Sequence, residues 1–252
     1  MLPNKVGLIT GVANAHSIAA GCAVAIAKAG GDVMLTCLNE KAAPYAQPVA
    51  DAANAKALLP MNVGREEEVE AVFEKVRAEW GRLDFLLHCI AFCPKDDLHA
   101  QVIDCSREGF AEAMDVSCHS FIRLARHALP LMSDGGSLLT VSYHGAEKVV
   151  DHYNIMGPVK AALEAVVRYL AADLGPKGVR VNALSPGPIA TRAASGIEAF
   201  DALMHEAAER APAGRLSTIE DAGAMAAFLV SDGAKAITGG VHYVDCGVNV
   251  MS

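Results

Sequence analysis

The chain alternates short apolar runs with longer stretches whose apolar residues recur at helical spacing. The first apolar run ends at Gly11, and an alanine-rich stretch over residues 18–28 follows and ends before Gly30 and Gly31. Short apolar runs bounded by glycine are typical of buried strands. Because the pattern repeats, we predict seven strands, over residues 5–10, 32–38, 56–59, 84–90, 137–141, 179–183 and 241–244.

Helical stretches lie between most of these strands, and the clearest cover residues 66–80, 108–132 and 153–174. Strands that are apolar on both faces and alternate with helices predict a parallel sheet covered on both sides. We therefore predict a doubly wound, Rossmann-like α/β fold, a three-layer sandwich with a seven-stranded parallel sheet. No long linker interrupts the chain, so we expect one domain over residues 1–252, with a substrate flap at about residues 185–212.

Composition narrows the classes of function. Apolar residues make up 52% of the chain and the formal net charge is -8, which excludes a disordered protein and argues against partners such as nucleic acid or an anionic membrane. The seven cysteines show no Cys-x-x-Cys pair and no zinc spacing, so we expect reduced thiols and no metal. With no leader peptide and no membrane-length apolar run, we expect a cytoplasmic protein that binds a small molecule.

The segment between the first strand and the first helix is the first candidate site. It reads Gly11, five residues, Ser17, Ile18, then Gly21. A turn in this position directs free N–H groups and the positive end of the helix dipole at a pyrophosphate, while Gly21 lets the helix pack closely on the sheet. The spacing departs from Gly-x-Gly-x-x-Gly, and an ordinary glycine turn with a serine N-cap is the alternative for this segment taken alone.

The end of the second strand bears on which nicotinamide cofactor binds. An acidic residue there binds the ribose 2′-hydroxyl of NAD, whereas basic residues accept the 2′-phosphate of NADP. Here Glu40 and Lys41 are adjacent, and residues 36–41 contain no arginine. We therefore favour NADH, with NADPH as the alternative.

Tyr153 and Lys160 are the candidate reaction centre. They are seven residues apart, and Pro158 between them favours a helix start, so both are predicted on one helix face. A phenol with a pKa of about 10 is a poor acid at neutral pH, but a nearby ammonium stabilises its ionised form. The pair can stabilise negative charge on a substrate oxygen, although this spacing alone also arises by chance.

Nearly the whole chain resembles the short-chain dehydrogenase/reductase superfamily, and more narrowly the bacterial enoyl-acyl-carrier-protein reductases. The segments that carry the resemblance are residues 11–19, 88–92, 142–147, 153–160 and 187–197. The wider superfamily has Asn-Asn-Ala-Gly after the fourth strand, a serine thirteen residues before the tyrosine and an asparagine on the fourth helix. Here those positions hold Cys89-Ile90-Ala91, Thr140 and Ser117, and Tyr143 lies ten residues before Tyr153, as in the enoyl reductases.

The resemblance implies hydride transfer from NAD(P)H to the β-carbon of a trans-2-enoyl thioester in fatty-acid synthesis. It implies that Tyr153 stabilises the enolate, that Lys160 binds the nicotinamide ribose, and that Tyr143 joins them and lines the acyl pocket. It also implies a homotetramer. Positions matching cofactor contacts are Gly11, Ser17, Ile18, Leu38, Asn62, Val63, Ile90, Ala91, Ile189 and Thr191. Positions matching the substrate pocket or flap are Phe92, Cys93, Met156, Pro188, Ala193, Ala194, Ile197 and Phe200.

The chain departs from the family pattern at the adenosine site and after the flap. Leu38 replaces a glutamine near the adenosine and Asn62 an aspartate that contacts adenine, so adenosine binding is expected to be weakened or reorganised. Residues 198–206 are acidic where the family often places basic residues to meet an acidic carrier protein. Because like charges disfavour docking, we hypothesise that a coenzyme A ester or a small unsaturated carbonyl replaces the typical carrier protein.

Two other functions are weighed against this one. A carbonyl reductase or alcohol dehydrogenase of the same fold is disfavoured because the serine and asparagine that serve carbonyl chemistry are missing. A non-catalytic nucleotide-binding regulatory protein has no chemical need for both Tyr153 and Lys160. The histidines that flank the centre, His88, His144 and His152, are assigned no catalytic role, and Cys89 and Cys93 are interpreted as unreactive packing thiols.

Overall fold

A parallel sheet runs through the centre of the computed structural model, which describes residues 1–191 and 198–251. Within those residues the sheet has seven strands in the order β3-β2-β1-β4-β5-β6-β7, and every pairing is parallel. The strands are β1 (Val6–Thr10), β2 (Asp32–Cys37), β3 (Ala57–Pro60), β4 (Phe85–His88), β5 (Gly136–Val141), β6 (Val179–Pro186) and β7 (Val241–Val244). The order reverses between β1 and β4, which is where such sheets open a ligand crevice.

Helices cover both faces of this sheet. They are α1 (Ile18–Lys28), α2 (Ala43–Ala52), α3 (Glu66–Trp80), α4 (Lys95–His99), α5 (Arg107–Met114), α6 (Ser120–Ala128), α7 (Met156–Leu174), α8 (Phe200–Arg210) and α9 (Ile219–Leu229). Alternate strand residues point to opposite sides, so Leu86 packs with Phe121 and Leu163 of α6 and α7, while Leu87 packs with Ile26 of α1. The predicted doubly wound α/β fold with a seven-stranded parallel sheet is confirmed.

The stretch predicted as one helix over residues 108–132 contains a wider turn. Between α5 and α6, residues Asp115–His119 form a π-helical turn. Ser120 Oγ donates to the carbonyl of Val116 at 2.6 Å, so a side chain takes part of the hydrogen bonding of the helix backbone. π-Turns of this kind often mark functional sites, and this one directs Ser117 and Cys118 into the interior.

Two glycines let α1 and α9 approach each other closely. A Cβ on Gly21 would clash with the carbonyl oxygen of Ile219, and a Cβ on Gly223 would clash with the carbonyl oxygen of Gly21. The expectation that Gly21 packs α1 against the sheet is therefore wrong, because its close neighbour is another helix. This contact brings the start of α9 beside the start of α1.

The predicted flap falls partly outside the described residues. Its described portion consists of the end of β6, the segment up to Thr191, and α8. The predicted pocket residues Ala193, Ala194 and Ile197 lie outside the described residues. Among the helices that the structure describes, none is both long and apolar enough to cross a membrane.

Candidate active site

The turn between β1 and α1 is built by a glycine with a positive φ. Gly11 has a φ of 81°, and a Cβ there would lie 2.8 Å from the carbonyl carbon of Cys89 and 2.9 Å from the Ile90 side chain. The missing side chain therefore lets two backbone segments approach at the switch point of the sheet. Ser17 caps α1, since its Oγ accepts from Ala20 N at 3.3 Å. The turn thus has the backbone cradle and helix N-terminus that a pyrophosphate requires.

The ends of β2 and β3 form the predicted adenosine side. Leu38 follows β2 and is 58% exposed, so it offers an apolar surface on which a flat base can rest. Asn62 follows β3, and its Oδ1 accepts from Gly64 N at 2.9 Å. Its neighbour Val63 is buried. Since Asn62 Oδ1 already has a donor, the amide NH₂ is the group that this residue can offer to a ligand.

Tyr153 does not lie in the helix that carries Lys160. α7 begins at Met156, and the backbone before it forms a turn in which His152 and Asn154 adopt φ values of 61° and 44°. The predicted helical relation between Tyr153 and Lys160 is therefore wrong, and the turn sets the direction of the phenol. Asn154 Nδ2 donates to the carbonyl of Leu98 at 2.8 Å, which ties this turn to α4.

The two predicted tyrosines are in contact. The ring centroids of Tyr143 and Tyr153 are 5.0 Å apart with an edge-to-face angle of 65°. Gly145 makes room for this pair, since a Cβ there would lie 2.6 Å from the Tyr153 ring. An apolar cluster around them contains Tyr143, Tyr153, Cys93, Leu98, Ala113, Met114, Val150, Met156 and Val159. The structure therefore brings together four predicted site residues, Tyr143, Tyr153, Cys93 and Met156.

Burial keeps both phenols neutral. It raises the pKa of Tyr143 to about 12, and it raises the pKa of Tyr153 further, with Tyr143 and Glu164 adding to the effect. The expectation that Lys160 stabilises an ionised Tyr153 is therefore wrong for this state of the protein. A neutral phenol donates a hydrogen bond, so Tyr153 is suited to stabilise an oxygen on which negative charge develops.

Lys160 is a buried cation, with 5% of its surface exposed. Its Nζ donates to the carbonyl oxygen of Val141 at 2.6 Å. Burial lowers the pKa of Lys160 to about 8, while Cys89, Cys118 and Glu164 act in the opposite direction. The ammonium form is therefore retained at neutral pH, at the carboxyl end of β5.

Two positions that depart from the superfamily have structural roles here. Thr140 Oγ1 lies 2.8 Å from His88 Nδ1, and Ser120 Oγ lies 2.8 Å from His88 Nε2. Burial, together with the charge of Lys160, lowers the pKa of His88 to about 3, so this histidine is a neutral link between β4, β5 and α6. Ser117 holds the loop after β4, because its Oγ accepts from Phe92 N and donates to Phe92 O, each at 2.9 Å.

A cavity of about 300 Å³ lies beside the phosphate-binding turn. The turn contributes His16, the segment after β6 contributes Pro188 and Ile189, and Ser217 and Thr218 come from the start of α9. Ser217 Oγ is buried without a hydrogen-bond partner among the described residues. A buried hydroxyl of this kind is available to a polar ligand, so the cavity fits an extension of the cofactor site.

The other predicted residues are less closely tied to the centre. Ile18, Ile90, Ile189, Thr191 and Phe200 are half-buried, whereas Ala91 and Phe92 are exposed. Sequence reasoning missed Asn154, Ser142, Glu164 and Ser217. Over residues 1–191 and 198–251, no group of three or more His, Cys, Asp or Glu side chains is placed to hold a metal ion.

Comparisons with known proteins give a consistent result. A family model described as enoyl-(acyl carrier protein) reductase matches residues 11–249. The enoyl-[acyl-carrier-protein] reductase [NADH] 2 of Rhizobium meliloti (strain 1021) is 44% identical over 252 residues, which is 100% of this chain and 94% of the relative.

Two crystal structures extend the similarity to the fold. The enoyl-(acyl-carrier-protein) reductase of Anaplasma phagocytophilum in complex with NAD has a TM-score of 0.95 at 44% identity, covering 100% of this chain and 96% of that chain. The Bacillus cereus enoyl-acyl carrier protein reductase with NADP+ and indole naphthyridinone has a TM-score of 0.96 at 42% identity, covering 100% and 98%.

Proposed function

The chain belongs to the enoyl-(acyl carrier protein) reductase family, which confirms the predicted resemblance, and we propose that Tyr153, Lys160 and Tyr143 are its catalytic residues. It is an NADH-dependent oxidoreductase that acts on CH–CH bonds and reduces enoyl thioesters in fatty-acid synthesis. The observation that supports the proposed roles is the edge-to-face contact between the half-buried Tyr143 and the buried Tyr153, just before the helix that carries the buried Lys160 ammonium.

The residues around the switch point fit a dinucleotide. We propose that the Gly11 turn and the N-terminus of α1 hold the pyrophosphate, and that Leu38, Asn62 and Val63 hold the adenosine. Ile90, Ala91, Ile189 and Thr191 are proposed to contact the nicotinamide half, and Lys160 to bind its ribose hydroxyls. When bound, NADH supplies the hydride that reduces the β-carbon. The absence of arginine after β2 supports NADH over NADPH.

Tyr153 acts on the substrate oxygen. As the β-carbon of an enoyl thioester is reduced, negative charge develops on the thioester oxygen and an enolate forms. The Tyr153 hydroxyl donates a hydrogen bond to that oxygen, and its raised pKa keeps the donor protonated. The apolar cluster around both tyrosines excludes water and strengthens this hydrogen bond.

The test is turnover of a short enoyl thioester by the purified protein. We expect crotonyl-coenzyme A to support oxidation of NADH, and NADPH more slowly. Lys160→Ala should abolish most of this turnover and weaken NADH binding, since the cation near the ribose is lost. A parent protein that turns over no enoyl thioester would overturn the proposed function, and turnover of ketones alone would favour a carbonyl reductase.

The structure disfavours a carbonyl reductase for a specific reason. The hydroxyls of Thr140 and Ser117, at the positions that serve carbonyl chemistry in the wider superfamily, are engaged with His88 and Phe92. Neither hydroxyl is therefore free to take part in the reaction.

Acyl carrier protein is the proposed carrier of the enoyl chain. The sequence favours coenzyme A or a small unsaturated carbonyl because residues 198–206 are acidic, but part of that charge is paired. Arg210 forms an ion pair with Glu206 at 3.1 Å. Rates on crotonyl-acyl carrier protein and crotonyl-coenzyme A distinguish the two, and a preference for coenzyme A would restore the sequence-based hypothesis.

Assembly and location stay predictions. A homotetramer is expected from the family resemblance, and a cytoplasmic location from the sequence. Light scattering coupled to size-exclusion chromatography would measure the mass of the assembly, and a monomer would contradict the first of these predictions.

A further inference from the structure

We propose that Glu164 and Ser142 are a pair of positioning residues for enoyl reduction, through which α7 fixes the segment carrying Tyr143 and supplies the anion that balances Lys160. This inference rests on the proposed function, because it assigns roles within the same site.

The first support is a pair of adjacent hydrogen bonds between α7 and the end of β5. Lys160 Nζ donates to the carbonyl oxygen of Val141 at 2.6 Å, and Ser142 Oγ donates to Glu164 Oε1 at 2.5 Å. Lys160 and Glu164 are four residues apart on one helix face, whereas Val141 and Ser142 are consecutive. Two successive turns of α7 therefore hold two successive residues at the end of the strand.

Tyr143 directly follows Val141 and Ser142, the two residues held by these hydrogen bonds. Its backbone is extended, with a φ of -155°, and its ring packs edge to face on Tyr153. Ser142 N also donates to the carbonyl oxygen of Leu184 at 2.6 Å, so both the backbone and the side chain of Ser142 are held. Loss of the Glu164 contact would release one of these attachments directly before Tyr143.

The second support is the burial of the carboxylate itself. Glu164 is only 3% exposed, and a buried carboxylate is unfavourable unless it is hydrogen-bonded or paired. An apolar side chain would fill the same space at lower cost, so packing alone does not account for a glutamate here. Glu164 lies one helical turn after Lys160, and its carboxylate favours the charged form of that lysine.

The groups around the pair set the direction of the electrostatic effect. His88 and the thiols of Cys89 and Cys118 surround Lys160, and His88 is neutral. Burial and Glu147 raise the pKa of Glu164, while Ser142, Arg168 and Lys160 lower it; Tyr153 and Tyr243 also face its charge. Glu164 is the carboxylate one turn after Lys160 on α7, and its negative charge favours the ammonium form of Lys160.

The experiment separates the hydrogen bond from the charge. Ser142→Ala and Glu164→Ala remove the bond, whereas Glu164→Gln keeps an acceptor oxygen for Ser142 and removes only the charge. Asp173→Asn removes an exposed carboxylate near the other end of α7 and is the matched control. Each variant is assayed as the full chain with crotonyl-coenzyme A and NADH, with KM and kcat measured separately for both substrates from pH 6 to about 10, a range that brackets the titration of a buried lysine.

We expect Ser142→Ala and Glu164→Ala each to lower kcat/KM for crotonyl-coenzyme A about tenfold. The loss should be mainly in KM, because the Tyr143 side chain that lines the acyl pocket is displaced. The double variant should be no worse than Glu164→Ala, since both changes remove one interaction. Glu164→Gln should keep the parent KM for crotonyl-coenzyme A, while the alkaline fall in kcat/KM for NADH moves to lower pH. Asp173→Asn should match the parent in every measurement.

Several outcomes would overturn the proposed roles of Ser142 and Glu164 and leave the proposed function intact. If the parent is active, three results would contradict the proposal: additive losses in the double variant, a pH profile of Glu164→Gln that matches the parent, or variants that lose thermal stability but no activity. If Glu164→Ala does not fold, Ser142→Ala and Glu164→Gln still decide the question. A parent inactive on every enoyl thioester would instead remove the proposed function on which the pair depends.

Discussion

The phosphate-binding turn and the tyrosine–lysine centre lie at the same edge of the sheet, but they are built from different groups. The turn consists of backbone at Gly11 and the N-terminus of α1, beside exposed residues such as Leu38. The centre consists of the side chains of Tyr153, Lys160 and Glu164, which are 8%, 5% and 3% exposed. Backbone amides do not titrate, whereas burial shifts the pKa of each of these side chains.

The two regions should therefore be sensitive to different changes. The turn depends on space for the backbone, so added Cβ atoms should harm it and pH should not. The centre depends on protonation states that burial creates, so it should respond to single atoms and to pH.

The largest effect is expected at the centre from the loss of one hydroxyl. Tyr153→Phe should lower kcat on crotonyl-coenzyme A by about 10²–10³-fold, the range seen when one donor to a developing oxyanion is removed. NADH binding, measured by fluorescence titration, should stay close to that of the parent. Tyr169→Phe, which removes a hydroxyl from an exposed tyrosine on α7, is the control. Equal losses in both variants would contradict the assigned role.

The turn should respond most to a methyl group. Gly11→Ala combines a φ of 81° with a clash against Cys89, so we expect a loss of about 1–3 kcal/mol in the free energy of unfolding and weaker NADH binding. Gly81→Ala has a φ of 66° but meets no atom within 4 Å, so it measures the conformational cost alone. Urea unfolding checks both variants, and equal losses would show that the approach to Cys89 does not matter.

A pH titration of cofactor binding compares the two regions directly. Because the pKa of Lys160 is about 8, NADH affinity should fall as the pH rises above that value, by up to tenfold per pH unit. The backbone donors of the turn should contribute no such dependence. Affinity that stays constant up to pH 10 would mean that the centre contributes little to cofactor binding, and the comparison would fail.

The last effect concerns the acid dependence of stability near the centre. The pKa of His88 is about 3 in the folded protein against 6.5 for a free histidine, so the unfolded chain binds the proton first as the pH falls. Its contribution to the free energy of unfolding should therefore decrease between about pH 6.5 and 3, by up to ~1.4 kcal/mol per unit. His88→Gln should show a shallower acid dependence in urea unfolding, and an unchanged slope would contradict this explanation.

Most of the fold could be predicted because strand and helix periods are local. Each predicted strand overlaps an observed one, with ends that differ by at most three residues at β6. The start of α7 and the π-turn before α6 could not be predicted in this way. Both depend on side chains such as Asn154 and Ser117 that bond to distant backbone, which no local period reveals.

The sequence also carries a signal for Glu164. The apolar stripe of α7, which includes Val159, Leu163 and Val167, also contains Lys160 and Glu164, and all five residues are buried. Two charged residues in one apolar stripe, four positions apart, indicate buried and interacting charges. The partner Ser142 could not be inferred, because it follows β5 and lies 22 residues before Glu164 in the chain.

The order of apolar and polar residues was enough to predict the parallel sheet, because strand and helix periods are local. The glycine turn and the family resemblance were indicated by motifs of neighbouring residues at fixed spacings. Tertiary structure alone decided the protonation states of Tyr153, Lys160 and His88. The physical reason is desolvation: the atoms that exclude water from these side chains come from strands and helices far away in the sequence, and only the folded chain brings them together.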